Sequence, residues 1–216
     1  MNVVISGGTG FVGSWMRKKQ PMGIDSLVLS KNGYSSTWEQ FNYTHVVHLA
    51  NIEPTRAIAC ARRNNARLLY CSSGIVGYPE VNTEYANNKR MWERECLQSG
   101  VDVVIARLYT FFGAGLDENK AIENLFKLAR LGKPLTVYGQ PSYETPATVR
   151  SYMWAGRMGK MMWSILLKGE SGKAYSVGST RPTSIFRLAK RIQAFTGCEI
   201  EFVDKPVPVP RYLPKI

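Results

Sequence analysis

The stretch NVVISGGTGFVG, Asn2 to Gly13, decides the fold. Its first part, Asn2–Ser6, is a continuous apolar run rather than an alternating one, as in a strand buried on both faces. Gly7, Gly10 and Gly13 follow at regular spacing and open a helix-like segment, Gly10–Gln20. Glycines so placed permit a tight turn, let the backbone approach a pyrophosphate, and let helix and strand pack closely. The helix N-terminus then offers free N–H groups to phosphates. The candidate binding residues of this turn are Gly7, Gly10, Phe11, Val12 and Gly13.

Working outward, strand-like runs recur at Ser26–Ser30, Thr44–Ala50, Ala66–Ser72 and Val101–Leu108. Helical stretches at Pro54–Asn64 and Glu84–Ser99 separate them, with one helical turn at Ser36–Phe41. Alternation of this kind predicts an α/β fold, a doubly wound parallel sheet covered by helices. After Gly113 the texture changes. Helices are expected at Ala121–Leu131, Met158–Leu167 and Thr183–Thr196, the last capped by Thr183 or Ser184. Short strands are expected at Leu135–Tyr138 and Ala174–Val177, a polar loop at Gln140–Arg150, and an extended tail from Lys205 with prolines at 206, 208, 210 and 214. The expected division is a nucleotide-binding domain over 1–113 and a small α/β lobe over 114–216, packed on the first and not independent of it.

Composition narrows the partners. A chain of 216 residues with 44% apolar content buries a core without needing disulfides or metal. The apolar stretch Met161–Leu167 is too short to span a bilayer, and the N-terminus enters a strand directly, so a cytoplasmic protein with no membrane partner is expected. Cys60, Cys71, Cys96 and Cys198 are dispersed and the two histidines, His45 and His48, lie in an apolar run, so neither a metal site nor a disulfide framework is expected. The 28 Lys and Arg exceed the 16 Asp and Glu by twelve, but they are scattered along the chain. That reads as a solvated basic surface rather than a nucleic-acid groove.

Two further patterns carry chemistry. The second strand ends at Ser30-Lys31-Asn32, with none of the carboxylate that usually binds a ribose 2′-hydroxyl. Ser30 and Lys31 suit a 2′-phosphate better, which favours NADP over NAD. The other pattern is Tyr85-x-x-x-Lys89 on the long helix. Spacing of i, i+4 puts both side chains on one face, where an ammonium lowers the pKa of a phenol. A strand ending in Ser72-Ser73 precedes that helix, and Ser73 at its carboxyl end falls where open parallel sheets bind ligands.

Taken together, these segments resemble extended short-chain dehydrogenases/reductases of the NAD(P)-dependent epimerase/dehydratase family, which act mostly on nucleotide-activated sugars. The likeness runs from Asn2 to about Phe202 through GGTGFVG, VVHLAN (46–51), LLYCSSGIVGY (68–78), RLYTFFGAG (107–115), LGKPLTVYGQ (131–140) and VRSYMWAGR (149–157). It implies a Rossmann-like sheet and a catalytic set of Ser73, Tyr85 and Lys89. It also implies cofactor contacts from Leu49, Ala50, Lys89 and Tyr109, and substrate contacts from Ser73, Thr110 and Arg150. The implied partner is a nucleotide-diphosphate sugar, and the implied assembly a homodimer through the Glu84–Ser99 helix.

The departures are informative. The interval from Ser30 to Thr44 is too short for the usual helix, third strand and helix, so the sheet is expected to lack an edge strand. Thr110 stands where the family usually has Asn, and Arg157 where it has Asp. Gly74 and Ile75 follow Ser73, where relatives that eliminate water carry acids and relatives that epimerise C3 and C5 carry Cys. The resemblance therefore implies a 4-epimerase or a 4-ketoreductase. The alternative is a degenerate member that binds a nucleotide or RNA without catalysis.

Overall fold

A computed structural model describes residues 1–29, 42–117, 120–139 and 149–204. Ser30, Lys31, the expected turn at 36–41, most of the polar loop and the proline-rich tail lie outside the described residues. In chain order the elements begin β1 (Asn2–Ser6), α1 (Phe11–Lys18), β2 (Asp25–Leu29), β3 (His45–His48), α2 (Thr55–Asn64), β4 (Arg67–Ser73), α3 (Glu84–Gln98) and β5 (Val103–Leu108). They continue with β6 (Thr110–Phe112), α4 (Ala121–Arg130), β7 (Leu135–Tyr138), β8 (Val149–Arg150), β9 (Tyr152–Trp154) and α5 (Ala155–Lys168). β10 (Ala174–Val177), β11 (Thr183–Ser184), α6 (Ile185–Thr196) and β12 (Ile200–Val203) complete the set.

The chain folds as two compact units. Among the described residues, the first holds Met1–Tyr109 and Ala155–Val177, and the second Thr110–Trp154 and 178–204. Thus α5 and β10, which follow residue 113 in sequence, belong to the first unit.

That unit is built on a six-stranded sheet of order β10-β5-β4-β3-β1-β2, parallel throughout. This is the doubly wound order with β2 at the edge, and among the described residues no further strand lies beyond it. The continuous apolar runs are central, as expected for strands covered on both sides: Val4, Val46, Leu68 and Ile105 are each fully buried. On one side they meet Ala57, Ile58 and Ala61 of α2 and Trp92 and Cys96 of α3. Elsewhere α1 packs against α5, where the Trp163 indole donates to the Met16 carbonyl at 2.7 Å. Parallel strands bring their carboxyl ends to one side. Register pairs Ser6 with His48, His48 with Tyr70, and Ser73 with Leu108.

In the second unit α4 and α6 pack on β7 around Leu125, Leu135, Val137, Ala189 and Ile192. Here the observed elements are finer than expected. β6, β8, β9 and β11 are two or three residues long and carry no periodicity to read. The expected helix Thr183–Thr196 begins only at Ile185, because Thr183–Ser184 pairs with Val149–Arg150 and the Ser184 hydroxyl accepts from Arg187 N–H at 3.1 Å. β12 pairs in parallel with β7. Among the described residues no helix is long and apolar enough to cross a membrane.

Candidate active site

The turn after β1 is shaped by what it lacks. Gly7 has φ of +71°, and a Cβ there would lie 2.8 Å from the Ala50 backbone nitrogen. A Cβ on Gly13 would lie 2.4 Å from Gly8 Cα. The turn is therefore packed backbone to backbone, closed by Gly10 N–H donating to Gly7 O at 3.1 Å. Gly10 also begins α1 with no side-chain cap, and the first helical turn holds no acidic residue. Its N–H groups and the positive end of the helix dipole stay open to an anion.

A cleft of about 810 Å³ lies against this turn, lined by Gly7, Thr9, Gly10 and the segment His48–Glu53, with Arg56. It sits between β1 and β3, where the winding of the sheet reverses. Leu49 and Ala50 are on its wall. Phe11 and Val12 are half-buried in the first turn of α1 and are not among the lining side chains. His48, which sequence reasoning left as one residue of an apolar run, forms part of the wall. Its Nε2–H donates to Ile52 O at 3.1 Å, so Nδ1 accepts from the Ser6 hydroxyl at 2.8 Å. Burial pushes its pKa down to about 4, which keeps the ring neutral.

The second part of the site is built by β4 and α3. Ser73 ends β4, and its hydroxyl accepts from Ile75 N–H at 3.4 Å across a short 3-10 turn, Gly74–Gly77. Thr83 caps α3, whose first turn carries Tyr85, 45% exposed. Partial burial raises the Tyr85 pKa, and a side-chain hydrogen bond with Ser73 opposes that rise. One helical turn further on, Lys89 is 4% exposed and donates to Cys71 O at 3.2 Å. Burial lowers its pKa, opposed by Cys71, Glu93 and Cys96. Glu93 is itself buried and held by both arms of Arg107, at 2.9 and 2.6 Å. This pair was not anticipated, although the step of four from Tyr85 to Lys89 extends to Glu93.

Tyr109, expected as a cofactor contact, packs on Gly74: a Cβ on Gly74 would lie 2.5 Å from its ring. Thr110 and Arg150 belong to the second unit. Thr110 pairs with Tyr152 between β6 and β9, and Arg150 donates to Val149 O at 2.8 Å from β8. The structure thus gathers Ser73, Tyr85 and Lys89 in one group and Gly7, Gly10, Leu49 and Ala50 around one cleft.

A doubly wound sheet with a glycine cradle at its switch point, and a Tyr-x-x-x-Lys helix after the fourth strand, defines a Rossmann-like protein of the extended short-chain dehydrogenase/reductase type. The chain belongs to the NAD dependent epimerase/dehydratase family of enzymes, whose sequence pattern matches residues 51–178. It is 23% identical over 269 aligned positions to UDP-glucuronic acid decarboxylase 1 of Xenopus tropicalis, covering 94% of this chain and 62% of that protein. It is 30% identical over 109 residues to the trifunctional UDP-glucose 4,6-dehydratase/UDP-4-keto-6-deoxy-D-glucose 3,5-epimerase/UDP-4-keto-L-rhamnose-reductase RHM2 of Arabidopsis thaliana, covering 49% of this chain and 16% of that one. The chain therefore spans less than two thirds of either relative. Its fold is similar to that of UDP-glucose 4-epimerase from Thermotoga maritima, solved with UDP-glucose (TM-score 0.79, 17% identity, 98% of this chain and 88% of that one). It is also similar to dTDP-glucose 4,6-dehydratase from Bacillus anthracis, solved with NAD (TM-score 0.77, 17% identity, 95% and 85%).

Proposed function

We propose that the protein is an NAD(P)-dependent nucleotide-sugar 4-epimerase or 4-ketoreductase. The observation that carries this reading is the convergence of Ser73, Tyr85 and Lys89 at the carboxyl end of β4. The cradle fits a dinucleotide: its glycines leave no room for a Cβ at 7 or 13, and the start of α1 is uncapped. Gly7, Gly10, Leu49 and Ala50 would hold the cofactor, joined by Lys89, which has donors for ribose hydroxyls. When bound, the cofactor supplies hydride acceptance and donation at a sugar carbon.

The remaining work falls to this chain. Tyr85 exchanges a proton with the sugar hydroxyl, Ser73 orients the same oxygen, and Lys89 favours the phenolate that the exchange creates. Nothing more is needed for oxidation and reduction at C4. Elimination of water would need a further acid beside Ser73, and the Tyr109 ring occupies the space that a side chain at position 74 would enter. Thr110 and Arg150 are proposed to bind the nucleotide diphosphate, with the second unit as the substrate lobe. The exposed Met91 and Leu97 on α3 support a homodimer through that helix.

The test is a screen of nucleotide sugars with each cofactor. The expected result is NAD(P) bound at micromolar concentration, with either interconversion at C4 or NADPH consumption on a 4-keto sugar. Absence of binding at millimolar concentration, with salt-sensitive RNA binding in its place, overturns the reading.

A further inference from the structure

Lys89 is a buried cation with no carboxylate of its own. It makes no ion pair among the described residues, and Glu93, its natural partner one turn along α3, gives both oxygens to Arg107. The Cys71 carbonyl accepts one N–H. Three aromatic rings also approach the ammonium. Nζ lies 5.4 Å from the centroid of Tyr70, 5.4 Å from Trp92 and 5.9 Å from Tyr85. Each distance falls within the range where a ring face attracts a cation. Trp92 is 8% exposed, and Tyr70 is fully buried with its hydroxyl unpartnered and its ring stacked on His48.

We propose that Trp92 and Tyr70 are positioning residues, whose ring faces take the place of a counter-ion and hold the Lys89 ammonium beside Tyr85. This rests on the reading of Tyr85 and Lys89 as the acid–base couple. A carboxylate would grip Lys89 more tightly, but it would cancel the ammonium's field at the phenol and occupy its donors. A ring face attracts the cation while carrying no net charge and accepting no strong hydrogen bond. Of the three N–H donors of Lys89, one goes to Cys71 and two remain for ligand hydroxyls. The arrangement also opposes the loss of charge that burial favours. The titratable groups that face the ammonium are Tyr85, Glu93 and Cys96 on α3, Tyr70 and Cys71 on β4, and neutral His48 on β3, with Arg107 of β5 reaching it through Glu93.

The experiment titrates the Lys89 side-chain nitrogen by NMR in the cofactor-free protein, with Lys89→Met to assign the signal. Trp92→Leu removes one ring face, Trp92→Phe restores a weaker one, and substitution of fluorinated tryptophan weakens the face at nearly constant shape. The expected result is a fall in the Lys89 pKa of about half a unit to one unit in Trp92→Leu. Partial recovery is expected in Trp92→Phe, and a graded fall with fluorination. NAD(P)H affinity should fall several-fold in the same order, and the pH midpoint of turnover should move with it. A Lys89 pKa unchanged across the fluorinated series, which needs no repacking, overturns the proposal. If the pKa moves but no dinucleotide binds, the ring hold stands and the enzymatic reading fails. If dinucleotide binds and turns over while Lys89 is unmoved, the reverse holds.

Discussion

Helices α1 and α3 begin in opposite ways. At α1 the cap is Gly10, which brings no side-chain acceptor, and no acid follows in the first turn. At α3 the Thr83 hydroxyl accepts from Ala86 N–H at 3.2 Å, and Glu84 sits in the first turn. The first start leaves its donors open, while the second satisfies them internally and answers the helix dipole with a carboxylate. Thereafter α1 works through atoms that are absent and α3 through side chains packed on β4: Lys89, Trp92, Glu93 and Cys96 are all buried. One half of the site should fail when atoms are added, the other when they are removed.

The largest effect belongs to the side-chain half. Tyr85→Phe removes one oxygen from a partly exposed ring and should leave the fold intact. Turnover should drop about 10²–10⁴-fold, the usual scale of a lost acid–base group. Dinucleotide affinity, measured by fluorescence titration, should stay within about twofold, since on the proposed reading the phenol acts on the sugar. Turnover at the wild-type rate would remove Tyr85 from the chemistry.

Acid should act on the wall of the cradle. His48 has a folded pKa of about 4 against 6.5 for a free imidazole, so between those values the unfolded chain binds the extra proton. Stability is then complete above about pH 6.5, falls as the pH is lowered toward 4, and is insensitive to this group below that. The span corresponds to on the order of 3 kcal/mol. Other groups titrate in the same range, so the informative quantity is the difference between wild type and His48→Gln in urea melts at several pH values. A variant with the same acid slope as wild type would show that His48 does not carry it.

Next in size is an added methyl group. Gly13→Ala puts a Cβ 2.4 Å from Gly8 Cα and 2.7 Å from Gly7 O, all backbone, so the turn itself has to move. A loss of about 1–3 kcal/mol in unfolding free energy is expected, as for other overpacked sites. Dinucleotide affinity should fall with it. Wild-type stability and affinity in this variant would mean that the cradle is looser than its geometry implies.

The two halves were also unequally legible in the sequence. The cradle is local: Gly7, Gly10 and Gly13 lie within seven residues, and the runs around them are buried strands, so Asn2–Ser6 is read to the residue. The i, i+4 step that joins Tyr85 to Lys89 is equally local. What sequence could not supply was pairing across strands. Ser6 meets His48 only because β1 and β3 are neighbours, and Glu93 meets Arg107 only because α3 covers β5. The ring faces around Lys89 come from a strand and a helix, Tyr70 from β4 and Trp92 from α3, and no local spacing pairs Tyr70 with the helix. In the second unit the limit is different. Strands of two or three residues are set by their partners, so β8 and β11 have no pattern of their own.

The smallest effect sharpens the contrast most, because its two readouts have opposite signs. Gly10 has φ −74° and ψ 177°, an ordinary extended conformation, and a Cβ there would meet only Gly7 O, at 3.4 Å. Gly10→Asp is therefore tolerated, and it gives α1 the kind of start that α3 has. A capping carboxylate satisfies a helix N–H and complements the dipole, so the cofactor-free protein should gain a few tenths of a kcal/mol. The same carboxylate covers the donors left for a pyrophosphate and repels it, so dinucleotide affinity should fall about tenfold or more. Thermal melts and binding titrations on one preparation check both. Stability and affinity rising together would mean that the open start of α1 is not where the phosphates sit.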